Sequence, residues 1–301
     1  MKVLITGISG LLGHACASEA QKRQHSVAGV QHTANLQFPS IRVFKSDLTN
    51  RAAAEQILEQ VKPDWVIHCA ALTGVDYCES HQDEAFRINS ALPDSLSKST
   101  TQFGARLLYV STDAVFDGIK GGYTEDDLPC PLNVYARSKL LGEEAVLQNQ
   151  SNLVVRTTMF GWNMQPKLSL AEWVLHELQC GRKINGFVDV VFSPLLTTVC
   201  AGMMFDLILS GARGLYHLAA NAPWSKYRFA CELAKEFGLD SCLIAEARSD
   251  ALPNRAVRPL NTSLAAAKAA RMLGREMPAL EEQLYRFHRE GERRAALCCG
   301  S

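Results

Sequence analysis

The sequence carries no surplus charge of either sign. Thirty-one Lys and Arg are matched by thirty-one Asp and Glu, so nothing marks a nucleic acid or an anionic membrane as a partner. An anionic ligand must then be held by local devices, such as helix N-termini and single arginines. Long apolar runs are missing too; none approaches the ~18 residues of a membrane span. Neither a Cys-x-x-Cys nor a zinc-type spacing occurs. Ten cysteines stand at 16, 69, 78, 130, 180, 200, 231, 242, 298 and 299, and only the last two are close in sequence. Several lie in apolar runs such as Val66-Ile67-His68-Cys69-Ala70, which favours buried, reduced thiols over a disulfide framework. No charged leader with a cleavage site precedes the first strand-like run, so the protein is read as cytoplasmic. No acidic cluster demands a metal; Glu125, Asp126 and Asp127 read as a solvated loop. There is no internal repeat and no low-complexity linker.

What remains is a globular composition. Hydrophobic residues make up 47% of 301 and charged residues 21%, enough for two domains or one large α/β domain with an appended lobe. The first half alternates apolar runs with amphipathic stretches. Strands are expected at 2–6, 26–30, 41–45, 65–68, 106–110 and 153–156, and helices at 11–24, 51–61, 83–101 and 134–148, the third helix broken near Pro93. Strands buried on both faces and alternating with helices imply a doubly wound parallel sheet, the Rossmann type of α/β fold. After about residue 160 the rhythm loosens. Helices are expected at 170–180, 199–209, 225–237 and 264–273, a short strand at 215–218, and a helical, then fraying, tail from Glu290.

Thr6-Gly7-Ile8-Ser9-Gly10-Leu11-Leu12-Gly13 follows the first strand and opens the first helix. Gly7 permits a tight turn, Gly10 lets backbone approach a pyrophosphate, and Gly13 lets helix and strand pack closely. The helix N-terminus supplies N–H donors for phosphate oxygens. Residues 1–160 are therefore read as an NAD(P)-binding Rossmann domain, and 161–301 as a smaller α/β substrate-binding lobe partly interleaved with that sheet. Gly7, Ser9, Gly10, Leu11 and Leu12 are candidate cofactor residues. At the end of the second strand stands Val30-Gln31-His32-Thr33, with no acid to bind a ribose 2′-OH and repel a 2′-phosphate. Gln31 and His32 thus favour NADP(H), with NAD(H) as the alternative. His68 reads as a strand residue with a structural hydrogen bond. Trp65 and Trp173 read as packing residues, and His14 as a surface residue of the first helix.

Tyr135-Ala136-Arg137-Ser138-Lys139 is a Tyr-x-x-x-Lys. On a helix these two side chains share a face. A free phenol, with a pKa near ~10, carries protons poorly at neutral pH; a nearby ammonium favours the phenolate. Ser111-Thr112-Asp113 lies at the end of the fifth strand, on the carboxyl edge where open α/β sheets bind ligands. A hydroxyl there can bond the substrate oxygen while the tyrosine transfers the proton.

With these residues in place the chain resembles the extended short-chain dehydrogenase/reductases, and within them the dTDP-4-dehydrorhamnose reductase group, over nearly its whole length. Ser111-Thr112-Asp113-Ala114-Val115-Phe116-Asp117-Gly118 is similar to that group's Ser-Thr-Asp-Tyr-Val-Phe-Asp-Gly. Pro131 to Tyr135, Ser138-Lys139, Thr73-Gly74-Val75-Asp76 with Glu79, Arg156-Thr157, Gly214 to Leu218 and Arg258 to Leu264 match further signatures. The resemblance implies catalytic roles for Thr112, Tyr135 and Lys139. Tyr135 would protonate the C4 carbonyl oxygen of a nucleotide-linked 4-keto-6-deoxysugar, Thr112 would orient that carbonyl, and Lys139 would tune Tyr135 and hold the nicotinamide ribose. Asp47 and Leu48 at the adenine edge, Cys69, Ala70 and Ala71 beside the cofactor, Asn89 and Ser111 complete the implied cofactor set. Thr73, Val75, Asp76, Thr112, Met159, Trp162 and Arg258 form the implied substrate set. Arg258 has two readings, a clamp on the substrate diphosphate or a plain surface arginine. A homodimer is compatible with the superfamily.

Departures bear on the substrate. Ala114 replaces the expected Tyr, Ala136 a Gly, and Met159-Phe160-Gly161-Trp162 an aromatic-rich segment. A different class of function is also open: the beta subunit of methionine adenosyltransferase, a non-catalytic NADP-binding regulatory subunit, is similar to the same group. An epimerase is a third reading. A dehydratase is disfavoured, because Thr112 is followed by Asp113-Ala114 and not by an Asp-Glu pair.

Overall fold

A computed structural model describes residues 1–249 and 255–299. In chain order the elements are β1 (Lys2–Thr6), α1 (Leu11–Lys22), β2 (Ser26–Gln31), β3 (Arg42–Lys45), α2 (Arg51–Val61), β4 (Trp65–His68), α3 (Val75–Ser80), α4 (Gln82–Phe86), a π turn (Arg87–Ala91), α5 (Leu92–Gln102), β5 (Arg106–Thr112), a 3-10 turn (Asp113–Val115), α6 (Val134–Leu147), β6 (Leu153–Thr157) and β7 (Met159–Phe160). There follow α7 (Leu170–Gln179), β8 (Ile184–Phe187), β9 (Val191–Phe192), β10 (Leu195–Leu196), α8 (Thr197–Leu209), β11 (Gly214–His217), β12 (Trp224–Ser225), α9 (Lys226–Glu236), β13 (Ile244–Ala247), α10 (Ala267–Leu273) and α11 (Leu280–Cys299). Gly300 and Ser301, the end of the expected frayed tail, lie outside the described residues.

Seven strands form one parallel sheet in the order β11-β6-β5-β4-β1-β2-β3. The order reverses at β1, which puts the carboxyl ends of β1 and β4 at the crevice where such sheets bind ligands. Successive strand residues face opposite layers. Val3, Ile5, Ile67, Leu108 and Val155 join one core with α1 and α8, whereas Leu4, Val66, Leu107 and Val154 join another with α2 and α5. Both faces are covered, so the strands read as continuous apolar runs. The doubly wound α/β fold expected from the alternation is the fold observed.

Four departures stand out. β5 runs on to Thr112 because its ladder with β6 continues through Ser111↔Arg156 and Thr112↔Thr157. The expected helix near Pro93 is split into α4, the π turn and α5. Pro93 has no N–H to give Asn89 O; the Tyr109 hydroxyl donates to that oxygen instead, at 2.9 Å. Beyond residue 160, the pairs β7–β10, β9–β12 and β8–β13 went unforeseen, since strands this short show no alternation. α11 starts at Leu280, ahead of the tail expected from Glu290.

Candidate active site

The turn between β1 and α1 is set by backbone proximity. Gly7 has φ +66°, and a Cβ there would stand 2.7 Å from Ala70 N; a Cβ at Gly13 would stand 2.1 Å from Gly7 O. Nothing larger than glycine fits either place. Gly10 is the N-cap of α1 and makes no side-chain cap, so no side chain competes for the first N–H groups of the helix. Under this turn, His68 Nδ1 bonds Thr6 Oγ1 at 2.6 Å, and burial pushes the imidazole down to about 3. His68 is neutral and structural.

A cavity of about 290 Å³ opens above the turn. Gly7, Ser9 and Gly10 line it with Gln31 at the end of β2 and His32 after it, Asp47 and Leu48 after β3, and Cys69, Ala70 and Ala71 after β4. Asp47 Oδ1 accepts from Thr49 N and Oγ1 at 2.9 and 2.8 Å, which holds its carboxyl below the ordinary range. Gln31 uses both ends of its amide on the backbone of Leu36, at 3.2 Å each, and so pins the loop after β2. Arg87, from the π turn, reaches the same cavity and is exposed. Sequence reasoning looked to the end of β2 and missed this arginine, which arrives from a distant element.

A second cavity of about 450 Å³ shares Gly10, Cys69, Ala71 and Gln165 with the first. Leu11, Leu12, Thr73, Ser111, Thr112, Tyr135, Lys139 and Met159 line it. Thr112 ends β5. Tyr135 and Lys139 lie one turn apart on α6, whose first turn is fixed twice: Asn133 Oδ1 accepts from Ala136 N at 2.9 Å, and Glu79 Oε1 accepts from Val134 N at 2.7 Å. Burial pushes the Tyr135 phenol up to about 12; the Asp113 and Cys78 charges act the same way and a hydrogen bond with Thr112 acts against them. Burial pushes Lys139 down to about 7, with Glu143 pulling it up. Lys139 Nζ donates to Val110 O at 2.7 Å and sits 3.9 Å from the centre of the Tyr109 ring. The expectation that Lys139 lowers the Tyr135 pKa needs correction: the phenol lies above its ordinary value, because desolvation, joined by the Asp113 and Cys78 charges, outweighs the hydrogen bond with Thr112.

Other expected site residues are spent elsewhere. Ser111 donates to the Glu143 carboxylate, which Arg156 holds through Nε at 3.0 Å and Nη2 at 2.6 Å; all three are buried. Asn89 lines neither cavity. Its Nδ2 donates to Leu72 O at 2.9 Å and Ser138 Oγ at 3.1 Å, and its Oδ1 accepts from Leu72 N at 2.9 Å, so it clamps the segment after β4 onto α6. Val75 opens α3, and Asp76 pairs with Arg258 Nη2 at 2.7 Å in an exposed contact; none of the three lines the second cavity. Trp162, placed by sequence in the substrate pocket, lies instead against α11. Its Nε1 donates to Phe287 O at 2.9 Å and its ring stacks on Phe287 at 4.3 Å. His14, expected at the surface, is half-buried and packs near Phe38. Gln165 was not foreseen: its Nε2 donates to Ser9 O at 2.9 Å where the two cavities meet. Among the described residues, no His/Cys/Asp/Glu group could hold a metal, no helix is long and apolar enough to cross a membrane, and the eight described cysteines are free.

Strand order and site together define a class, the doubly wound dinucleotide-binding folds that place a Tyr-x-x-x-Lys pair and a strand-end threonine on one cavity. Within it, the chain belongs to the family described as the RmlD substrate binding domain, whose family model matches residues 1–292. It is 29% identical to the probable low-salt glycan biosynthesis reductase Agl14 of Haloferax volcanii, over 94% of this chain and 96% of that one. It is 31% identical to methionine adenosyltransferase 2 subunit beta of Xenopus laevis, over 95% and 88%. Among solved structures it resembles the dTDP-4-dehydrorhamnose reductase of Bacillus anthracis in complex with NADP, with a TM-score of 0.83 and 27% identity over 96% and 99% of the two chains.

Proposed function

We propose that this protein is an NADP(H)-dependent oxidoreductase that reduces the C4 ketone of a nucleotide-linked 4-keto-6-deoxysugar. The observation that carries the reading is the shared cavity: Thr112, Tyr135 and Lys139 line one space that runs without a break to the glycine turn. The cofactor fits the residues present. The space that a Cβ at Gly7 or Gly13 would fill is taken by backbone, and the uncapped N-terminus of α1 faces the junction of the cavities. Gly7, Ser9, Gly10, Leu11 and Leu12 would hold the pyrophosphate, and Asp47, Leu48, Cys69, Ala70 and Ala71 the adenosine side. Arg87 and His32 favour the 2′-phosphate over a bare ribose. Bound there, the reduced nicotinamide supplies hydride.

The chain's own residues supply the rest. Tyr135, held as a phenol by its raised pKa, keeps the proton that a reduced ketone oxygen needs. Thr112 offers a hydroxyl to the same oxygen. Lys139, fixed on Val110 O at the back of the cavity and brought down to about 7 by burial, sets an amine there that takes up or releases a proton near neutral pH. Thr73 and Met159 line the substrate side. Ala114, where the related reductases carry tyrosine, brings no side-chain bulk or hydroxyl beside Thr112, and its N–H donates to Thr112 Oγ1.

The test follows NADPH and NADH oxidation by the loss of reduced-nicotinamide absorbance with a panel of nucleotide-linked 4-keto-6-deoxysugars. Turnover with one of them, reduced by about a hundredfold or more in Tyr135→Phe while NADPH still binds, is the expected result. Near-normal turnover in that variant removes Tyr135 from the acid role. The second reading, an NADP-binding regulatory subunit, draws on the 31% identity to the Xenopus laevis subunit. Tight NADPH binding with no turnover on any sugar would favour it.

A further inference from the structure

Asp113 follows Thr112 in the chain and is 7% exposed. Its two oxygens have separate partners. Oδ1 accepts from Thr112 Oγ1 at 3.2 Å, and Oδ2 accepts from Thr262 Oγ1 at 2.5 Å. Thr262 comes from far along the chain and is fixed by its own N–H on Val191 O at 3.0 Å. Thr112 Oγ1 in turn accepts from Ala114 N at 3.1 Å. Few charges surround this carboxyl. Lys226 at the start of α9 attracts it, Arg258 stands beyond Lys226, and the Tyr135 phenol on α6 feels its charge.

A hydroxyl has one proton to give and two lone pairs. When Thr112 gives its proton to an ionised Asp113, none is left for a ketone oxygen in the cavity, and an anion stands behind the place where negative charge must grow. When the carboxyl is neutral, its O–H can bond Thr112 Oγ1. Together with Ala114 N–H, that fills both lone pairs, and the Thr112 proton has only the cavity and Tyr135 to point to. We infer that Asp113 is a positioning residue: acting through Thr112, its carboxyl decides whether that hydroxyl proton points into the cavity or back into the protein. The consequence for turnover rests on the proposed reduction; the pairing itself does not.

Burial pushes the Asp113 carboxyl above its ordinary range, against two hydroxyls and the Lys226 charge that favour the anion. The fold therefore resists ionising it. The stability that the neutral form brings is complete below the ordinary carboxylate range and is lost as pH rises through the raised value. A carboxylate kept for structure alone would behave in the opposite way.

The experiment is the pH profile of kcat for the wild type, Asp113→Asn, Asp113→Ala and Thr262→Val, beside a carbon-13 NMR titration of labelled Asp carboxyls in the wild type. Asp113→Asn serves to assign the resonance. The wild-type kcat should fall as Asp113 ionises. Asp113→Asn, whose amide can donate to Thr112 and whose oxygen can accept from Thr262, should lose that fall with KM within about twofold and unfold at a higher urea concentration at neutral pH. Asp113→Ala should lose about tenfold or more in kcat at every pH. Thr262→Val removes a donor to the anion and should move the fall to higher pH. An Asn variant that keeps the fall, or that loses as much kcat as Ala, overturns the inference. So does an NMR midpoint in the ordinary Asp range. A raised midpoint in a protein that reduces no sugar would uphold the pairing and defeat the reductase reading.

Discussion

Lys139→Met isolates the energetic consequence of burying an ammonium beside the cavity. Lys139 is 2% exposed, and burial pushes it from 10.5 down to about 7. In the unfolded chain the lysine stays charged up to its ordinary value, whereas the folded chain releases the proton earlier. Between the two values the unfolded state binds more protons, so the stability of the wild type rises with pH there, by about 1.4 kcal/mol per unit. Methionine fills a similar volume and titrates nowhere. It leaves Val110 O without its 2.7 Å donor, a loss that varies little with pH; the cation over Tyr109 goes with the Lys139 proton in the wild type too, so its effect is already contained in the depressed pKa. The Met variant should therefore be the more stable protein at neutral pH, and its advantage should shrink by about 3 kcal/mol on going up to about pH 9.5. Urea denaturation at the two pH values measures this, provided both proteins share one slope. A gap independent of pH would refute the depressed ammonium. A variant less stable than the wild type at both values would make Lys139 a net contributor to the fold.

Three further outcomes follow from named contacts. Arg87→Ala should weaken NADPH binding by about tenfold or more and leave NADH nearly unchanged, as read by fluorescence titration; equal losses for both would remove Arg87 from the 2′-phosphate. Gly142→Ala should destabilise by about 1–3 kcal/mol in urea, because a Cβ there would stand 2.2 Å from Asn89 O and 2.6 Å from the Tyr109 hydroxyl. Trp162→Phe should cost about 1 kcal/mol through its lost bond to Phe287 O, seen as a lower melting temperature with KM for the sugar unchanged. A raised KM with unchanged melting would return Trp162 to the substrate pocket.

The parts of the site that were legible in the sequence rest on chain-local geometry. Gly7, Gly10 and Gly13 are spaced by the turn that they make between a strand and a helix, and Tyr135 and Lys139 by one turn of helix, so spacing found them once the strand before the glycines and the Ser111-Thr112 strand end gave it context. Gln165 and Arg87 gave no such signal, because they enter the cleft from elements whose approach depends on the whole fold. Trp162 misled for the opposite reason. It lies three residues from Met159, which does line the cavity, but the chain turns after β7 and aims the indole at α11. Pro93 was readable as a breaker, yet what it breaks is settled by Tyr109, a residue on another element that takes the freed carbonyl. The short strands after residue 160 pair over two to four residues, too few for alternation to show.

Two functions compete for this fold, and the energetics of the cleft bear on the choice. Lys139 and Asp113 are each held toward their neutral form by burial, and the Tyr135 phenol lies above its ordinary value for the same reason. Beside them, the Glu143–Arg156 pair is 1% and 4% exposed in its side chains. Apolar residues of similar volume would spare the protein the desolvation of these groups. A role confined to docking on a partner makes no use of that expense, because docking needs an outer surface and not titratable groups inside a cavity. Reduction of a ketone uses them directly: a phenol that keeps its proton, a hydroxyl whose direction can be set, and a lysine behind both that burial brings down to about 7, so that it exchanges its proton near neutral pH. If Lys139→Met proves more stable and still binds NADPH, yet reduces no ketone, then the buried charge serves turnover and not the fold. If the same variant turns over normally, the cleft is a relic as far as Lys139 is concerned, and the regulatory reading gains what the reductase reading loses.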